Sequence, residues 1–327
     1  MAEKTKFLLT GATGHVGYAL LLELIEQGED VTIMIRKEIP LFDGLNCQHV
    51  KGDVTDYDSL VKAFEGMDTV YHVAGAVEIN KGADEMTWKV NFEGTKNVLK
   101  ACKACGVRRL VYMSSVDAML PLPDNQLMVE QTSFSPDELD GTYAKTKAAA
   151  TQYLLDNHDE VELVVLHPAA CIGPYDFKVS SVGSMVRMVM KGGFPITMNF
   201  GAYNFVDVRD VAKGTYAAAK QGRNGECYIL CGNYMSVDEF IKTLARVTGN
   251  KPPKITIGNG IVSFAAPIME VYYNLSKTTP LFTRYSVRKL KANCNFSYEK
   301  AQKELGYNPM SVEQSLTDMV AWIKTQQ

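Results

Sequence analysis

Short apolar runs recur along the first half of the chain, at Phe7–Thr10, Val31–Ile35, Cys47–Val50, Val70–Val73, Arg109–Met113 and Leu163–Leu166. They are continuous rather than alternating, the pattern of strands covered on both faces. Between most of them lie stretches with helical character: Tyr18–Glu26, Tyr57–Phe64, Asn91–Cys105 and Tyr143–Leu155. Strand and helix in alternation predict an α/β fold, a doubly wound parallel sheet of Rossmann type. After Pro168 the punctuation changes: Gly173-Pro174, Gly192-Gly193, Pro195, Pro252-Pro253 and Pro280 break the chain into loops and short helices. Within that half, Phe205–Val211 and Glu226–Leu230 read as strands flanking a helix over Val211–Lys220. The pattern divides the chain into a large domain, 1–174 with 203–231 returning to it, and a smaller, mostly C-terminal lobe, 175–202 and 232–327.

Charge and composition remove several alternatives. Of 327 residues, 46% are apolar and 22% charged, which excludes a disordered chain. The net charge of −3, with no basic block, makes nucleic acid a poor partner, because phosphate neutralisation supplies most of that affinity. Met1 to Lys6 lead straight into the first strand, so no secretory signal is expected and a cytoplasmic location is. The longest apolar-rich region, Ile261–Leu275, is interrupted by Ser263, Pro267, Glu270 and Asn274 and is shorter than the ~18 residues of a membrane span. It reads as a packed or pocket-lining segment, with a membrane-surface contact as the alternative. The seven cysteines, an odd count, suggest reduced thiols. Cys102 and Cys105 have no second Cys/His pair at zinc spacing and fall in a helical pattern, so no metal site is expected.

The first strand runs into Thr10-Gly11-Ala12-Thr13-Gly14-His15-Val16-Gly17, and a helix follows. Three glycines in the spacing G-x-x-G-x-x-G serve a tight turn, close approach of backbone to a pyrophosphate, and close helix–strand contact. An ordinary βα turn can also carry glycines. With a strand before, a helix after and a βαβ unit continuing to Ile35, Gly11, Thr13, Gly14, His15, Val16 and Gly17 become candidate dinucleotide contacts. The second strand ends in Ile35-Arg36-Lys37, ~20 residues past the loop, where an NAD-binding fold places an acid on the ribose 2′-hydroxyl. Two cations stand there instead. Arg36 can pair in bidentate fashion with a 2′-phosphate, so Arg36 and Lys37 favour NADP(H) and leave NAD(H) possible; a solvated surface pair is the plainer alternative. Asp53 and Val54 follow the third strand at the level of an adenine ring, although Asp53 is equally suited to a helix N-cap or turn. Val73, Ala74 and Gly75 end the fourth strand with small residues that let a cofactor lie against the backbone.

Ser114 and Ser115 close the strand Arg109–Met113, at the carboxyl edge where α/β sheets bind ligands. Tyr143 and Lys147, four apart, share one face of the following helix. A cation beside a phenol favours the phenolate and lowers a pKa of about 10, making Tyr143 a usable acid–base group. A serine hydroxyl can hold the substrate oxygen.

These motifs resemble the extended short-chain dehydrogenase/reductases of the NAD-dependent epimerase/dehydratase superfamily. The resemblance takes in Thr10–Gly17, Tyr71–Gly75, Asn91 with Gly94–Asn97, Ser114-Ser115, Tyr143 with Lys147, His167-Pro168 with Gly173-Pro174, Phe205–Ala212, Lys300-Ala301 and Glu304–Pro309. It implies Tyr143 as proton donor or acceptor, Lys147 as its activator and ribose anchor, and Ser115, before Ser114, on the reacting oxygen. Pro168, Ala169 and Ile172 would lie near the nicotinamide. His167 departs from the arginine common before that proline and is left out of the mechanism. Arg36-Lys37 and Pro280–Val287 resemble the dihydroflavonol-reductase-like branch, which reduces ketones and aldehydes with NADPH. The expected function is thus an NADP(H)-dependent oxidoreductase on a small, lipophilic or ring-bearing carbonyl or alcohol. A nucleotide-sugar epimerase or dehydratase using NAD is the alternative, and a non-catalytic NAD(P)-binding sensor or scaffold the second. Relatives often form homodimers through the Asn91–Cys105 and Tyr143–Leu155 helices, so a dimer is possible.

Overall fold

The computed structural model describes residues 5–77, 84–123, 126–192, 196–262 and 292–326. Most of Ile261–Leu275 and all of Pro280–Val287, expected near the substrate, lie outside them. The strands among the described residues are β1 (Lys6–Thr10), β2 (Asp30–Ile35), β3 (Gln48–Lys51), β4 (Thr69–His72), β5 (Arg109–Met113), β6 (Glu162–Pro168), β7 (Ala170–Ile172), β8 (Ile196–Met198), β9 (Ala202–Asp207), β10 (Glu226–Leu230), β11 (Asn233–Ser236) and β12 (Ile255–Ile257). Seven of them form one parallel sheet in the order β3-β2-β1-β4-β5-β6-β10, the doubly wound parallel sheet expected from the sequence. Leu8, Ile33, Val70, Leu110 and Val164 on its central strands are fully buried, which is why those strands are apolar without alternation.

The helices are α1 (His15–Glu26), α2 (Tyr57–Phe64), α3 (Asp84–Trp88), α4 (Gly94–Cys105), α5 (Thr142–Asn157), α6 (Ser181–Met190), α7 (Val208–Gln221), α8 (Val237–Thr248), α9 (Glu299–Leu305) and α10 (Val312–Thr325). α1 packs with α7, while α4 packs against both α2 and α5. Local chemistry sets the ends. Asp56 caps α2 through Ser59 N–H, Ser236 and Glu239 form a reciprocal capping box on α8, and Gly106 ends α4 in the left-handed conformation. The helix expected from Asn91 begins instead with a π turn, Lys89–Glu93, that carries Asn91.

The second half differs from the sequence expectation in two respects. β10 joins the large sheet, but β9 stands in a separate three-stranded sheet between β7 and antiparallel β11. The strand expected over Phe205–Val211 also stops at Asp207. That carboxylate accepts the Arg209 N–H at 2.8 Å and caps α7, so Val208 to Val211 enter the helix. The same cluster ties the start of α7 to α10 and the turn before it. The Arg209 guanidinium bonds Asp207 and, at 2.7 Å, Asp318 of α10, and Asp210 accepts the Met310 N–H at 2.8 Å. α6, α8 and α10 with β7 and β9 enclose a second core around Ile172, Phe205, Phe240 and Leu316, with Phe205 and Phe240 stacked at 4.2 Å.

Candidate functional site

In the sheet order the chain reverses direction between β1 and β4, and the helices that follow them lie on opposite faces. The loops therefore part and leave a crevice at the carboxyl edge. Gly11 lies at its floor with φ 81°, and a Cβ there would fall 2.5 Å from the Ala74 nitrogen. A Cβ on Gly17 would fall 2.1 Å from the Gly11 oxygen. Both glycines are thus fixed by close approach, one of strand to strand and one of helix to loop. α1 starts with Gly14 as N-cap, without a side-chain cap and without an acid in the first turn, so its first amides face the crevice uncompensated. A diphosphate fits that cradle.

The loop is braced from below. His72 is fully buried between the Thr10 hydroxyl (3.0 Å) and the Thr95 hydroxyl (2.9 Å). Thr95 donates to the Asn91 carbonyl, so it accepts from His72 Nε2–H, and Thr10 donates to Nδ1 while accepting the Ala74 N–H. Burial, with the Lys147 charge second, drops the His72 pKa to about 3, and the imidazole is a neutral strut. His15 donates from Nε2 to the Pro174 carbonyl at 2.8 Å and ties the start of α1 to the second half of the chain. Its pKa is lowered, mainly by burial.

At the end of β2, Arg36 and Lys37 are exposed, while neighbouring Glu38 turns to His49 at 2.9 Å. Among the described residues neither cation has a carboxylate partner. Asp53 forms a turn: one carboxylate oxygen accepts both the N–H and the hydroxyl of Thr55 at 2.9 Å. Val54 packs beneath Gly94, and its carbonyl accepts from Asn97. Val73 and Ala74 are half-buried and Gly75 is exposed. Pro168 ends β6 and Ala169 bonds the Leu230 carbonyl beside it; the Ile172 side chain belongs to the second core.

The two serines are separated by their hydrogen bonds. Thr151 donates to the Lys147 carbonyl, so Ser114 must donate its only hydroxyl proton to Thr151, at 2.7 Å. Ser115 Oγ instead accepts the Asp117 N–H at 3.1 Å, and among the described residues its proton has no acceptor. Tyr143 is partly exposed in the first turn of α5, and Lys147 is buried one turn on. The Lys147 ammonium donates to the Met113 carbonyl at 2.6 Å, lies 4.8 Å from the Tyr112 ring centre, and would be 3.4 Å from a Cβ on Gly75. Burial pulls its pKa down to about 7; the carbonyl and the ring both oppose that shift by favouring the cation.

Two residues carry more of the site than their sequence positions announced. Asn91 bonds both the N–H (2.7 Å) and the carbonyl (2.9 Å) of Ala76 and also reaches the Thr146 hydroxyl, locking the loop after β4 to α5. The signal was its fixed spacing to Gly94-Thr95. His167 donates from Nδ1 to the Ser115 carbonyl at 2.9 Å, is stacked on Phe134 at 5.2 Å, and has a pKa lowered by burial to about 4. It supports the Ser115 turn as a neutral ring.

Beside Ser115 opens a cavity of about 160 Å³ lined by Val116, Met119, Met128, Leu139, Tyr203 and Phe296, with the carboxylates Asp117, Glu138 and Asp140. Ala292 and Asn293 line both this cavity and a larger one of about 920 Å³. No helix among the described residues is long and apolar enough to cross a membrane, and no cluster of His, Cys, Asp or Glu there could hold a metal. All seven cysteines are free thiols.

A Rossmann sheet with a glycine loop at its switch point and Ser115, Tyr143 and Lys147 at the same edge has the layout of an NAD(P)-dependent enzyme of short-chain dehydrogenase/reductase type. Residues 7–231 match the model of the NAD dependent epimerase/dehydratase family, and the chain belongs to that family. It is 31% identical to sterol demethylase protein B of Methylococcus capsulatus, over 97% of this chain and 98% of that protein. Identity is 30% to the Synechocystis sp. protein named "Putative dihydroflavonol 4-reductase", over 97% and 94%. The crystal structure of gox2253 superposes with a TM-score of 0.86 at 30% identity, covering 99% of each chain.

Proposed function

We infer that the protein is an NADP(H)-dependent reductase or dehydrogenase interconverting a ketone or aldehyde and its alcohol on a small, lipophilic or ring-bearing substrate. The observation that carries this reading is the cavity beside Ser115. It is apolar along most of its wall, and its charged lining residues are the three carboxylates Asp117, Glu138 and Asp140. A nucleotide sugar brings a diphosphate, and the lining residues include no lysine or arginine to meet it. In the larger cavity Lys242 is already paired with Asp238 at 2.7 Å. A carbonyl group on a hydrophobic body suits the smaller cavity, with the remainder extending past Ala292 and Asn293. The names of the relatives at 30–31% identity point the same way. The family match by itself fits a nucleotide-sugar epimerase or dehydratase as well.

When bound, the nicotinamide cofactor supplies or accepts the hydride. Gly11, Thr13, Gly14, His15, Val16 and Gly17 would hold its phosphates, Arg36 and Lys37 its 2′-phosphate, Asp53 and Val54 the adenine end, and Val73, Ala74 and Gly75 the backbone surface beneath it. Pro168, Ala169 and Ile172 would flank the nicotinamide, Ile172 through its backbone. Ser115 donates a hydrogen bond to the substrate oxygen and orients it, keeping its own proton. Tyr143 gives that oxygen a proton, or takes one in the reverse direction. Lys147 biases Tyr143 toward the phenolate and anchors the ribose.

The decisive experiment follows the hydride with C4-deuterated NADPH and a panel of lipophilic carbonyl compounds and nucleotide sugars. Deuterium in an alcohol product, with matching loss of reduced-nicotinamide absorbance, is expected. Conversion of a nucleotide sugar without label in the product and without net NADPH oxidation would establish the epimerase instead. Independently, Arg36→Asp should weaken NADPH by more than about tenfold and reverse the preference toward NADH, since one charge-assisted pair becomes a repulsion. Wild-type preference for NADH in calorimetric titration would end the NADP(H) assignment.

A further inference from the structure

Lys178 lies outside the motifs of the nucleotide loop, yet it reaches that loop from across the crevice. Its Nζ is 3.5 Å from the Thr13 hydroxyl, long for a hydrogen bond, and the residue is exposed. Among the described residues no carboxylate or carbonyl engages this ammonium.

The backbone on either side is held in a form that side chains disfavour. Tyr175 (φ 74°) and Val179 (φ 53°), the non-glycine residues with left-handed backbone among those described, bracket Lys178. A β-branched valine is especially ill suited to that region. Surrounding contacts hold the segment there. His15 bonds the Pro174 carbonyl, and the Tyr18 ring of α1 packs against Tyr175 and Phe177 at 5.4 and 5.1 Å. Asp176 is buried and accepts the N–H and the hydroxyl of Ser180, at 2.9 and 2.8 Å. The fold thus fixes residues 174–180 against the start of α1 and leaves the Lys178 ammonium above Thr13. Unfavourable backbone kept by surrounding packing concentrates at ligand sites.

The loop needs such a charge. Thr10 to Gly17 contain no lysine or arginine, so its amides and helix dipole offer only partial charges to a pyrophosphate. We propose that Lys178 is a pyrophosphate ligand, closing over the phosphates on the side opposite the glycine loop. The proposal rests on the dinucleotide reading of that loop. The segment runs from β7 into α6, so the same contact joins the bound nucleotide to the second core. The 2′-phosphate is not its partner, because Arg36 and Lys37 stand at the end of β2 rather than at the start of α1.

Calorimetric titration of Lys178→Ala with NADP⁺, NAD⁺ and adenosine 2′-monophosphate tests this. The two dinucleotides share the pyrophosphate and the monophosphate lacks it. Loss of about tenfold in affinity for both dinucleotides, with the monophosphate changed by less than about twofold, is expected for one charge-assisted contact. Lys178→Arg, which keeps the charge, should restore most of the loss and separates a charge effect from a packing one. Unchanged affinity for both dinucleotides overturns the proposal. A loss confined to NADP⁺ and adenosine 2′-monophosphate overturns it too, by moving Lys178 to the ribose phosphate. Wild-type protein that binds neither dinucleotide would instead overturn the reading of the loop itself.

Discussion

Tyr143→Phe should cut turnover by about 10²–10⁴-fold, the usual contribution of a positioned acid–base group, while leaving nucleotide affinity and melting temperature near wild type. The substitution removes one oxygen from a partly exposed side chain in the first turn of α5, so it opens no cavity in the core. The ring remains to pack where it did. If the loss came from disturbed packing, thermal unfolding and the dissociation constant for NADP⁺ would shift together with turnover. If Tyr143 moves the proton, only turnover falls, and it falls at saturating substrate. A variant with wild-type turnover would remove Tyr143 from the mechanism. The comparison with Ser115→Ala is informative because Ser115 keeps its proton uncommitted whereas Ser114 has given its own to Thr151.

The large sheet was legible because its strands are buried on both faces and write their position as unbroken apolar runs. Leu163 to Leu166 are fully buried, and the sequence shows them as Leu-Val-Val-Leu. The glycine loop was legible as a tight βα turn for a related reason: Gly11 and Gly17 stand where a Cβ would strike backbone. Strand partners were not legible in the second half. Phe205 to Asp207 and Cys227 to Leu230 have the same β-rich character, yet one goes to a small sheet and the other to the large one. That choice is made by contacts distant in sequence, such as Arg209 with Asp318 and Asp210 with Met310, which no local pattern records. Lys178 escaped notice likewise. It is an ordinary surface lysine by sequence, and only the turn around it brings the ammonium to Thr13, 165 residues away.

Lys147 couples stability to the same chemistry. Burial lowers its pKa in the folded protein to about 7, while the unfolded chain keeps the ordinary lysine value of about 10.4. Between those values the unfolded state binds more protons, so stability rises with pH; the penalty of burying the charge is fully present below about pH 7 and fades as the pH climbs. Lys147→Met keeps the volume of the side chain and removes the titration. The stability of wild type relative to Lys147→Met should therefore increase between pH 7 and pH 10 by about 3–4 kcal/mol, read from urea denaturation. The bond to the Met113 carbonyl and the Tyr112 ring reduce the size of this change without reversing its sign, because both favour the cation that burial disfavours. A difference independent of pH would show that the folded protein holds Lys147 at its ordinary pKa. At neutral pH the same variant should lose more than about tenfold in turnover and also bind NADP⁺ more weakly, the joint loss expected of a residue that biases Tyr143 and anchors the ribose. A Lys147→Met protein that kept both turnover and NADP⁺ affinity would reduce Lys147 to a structural residue.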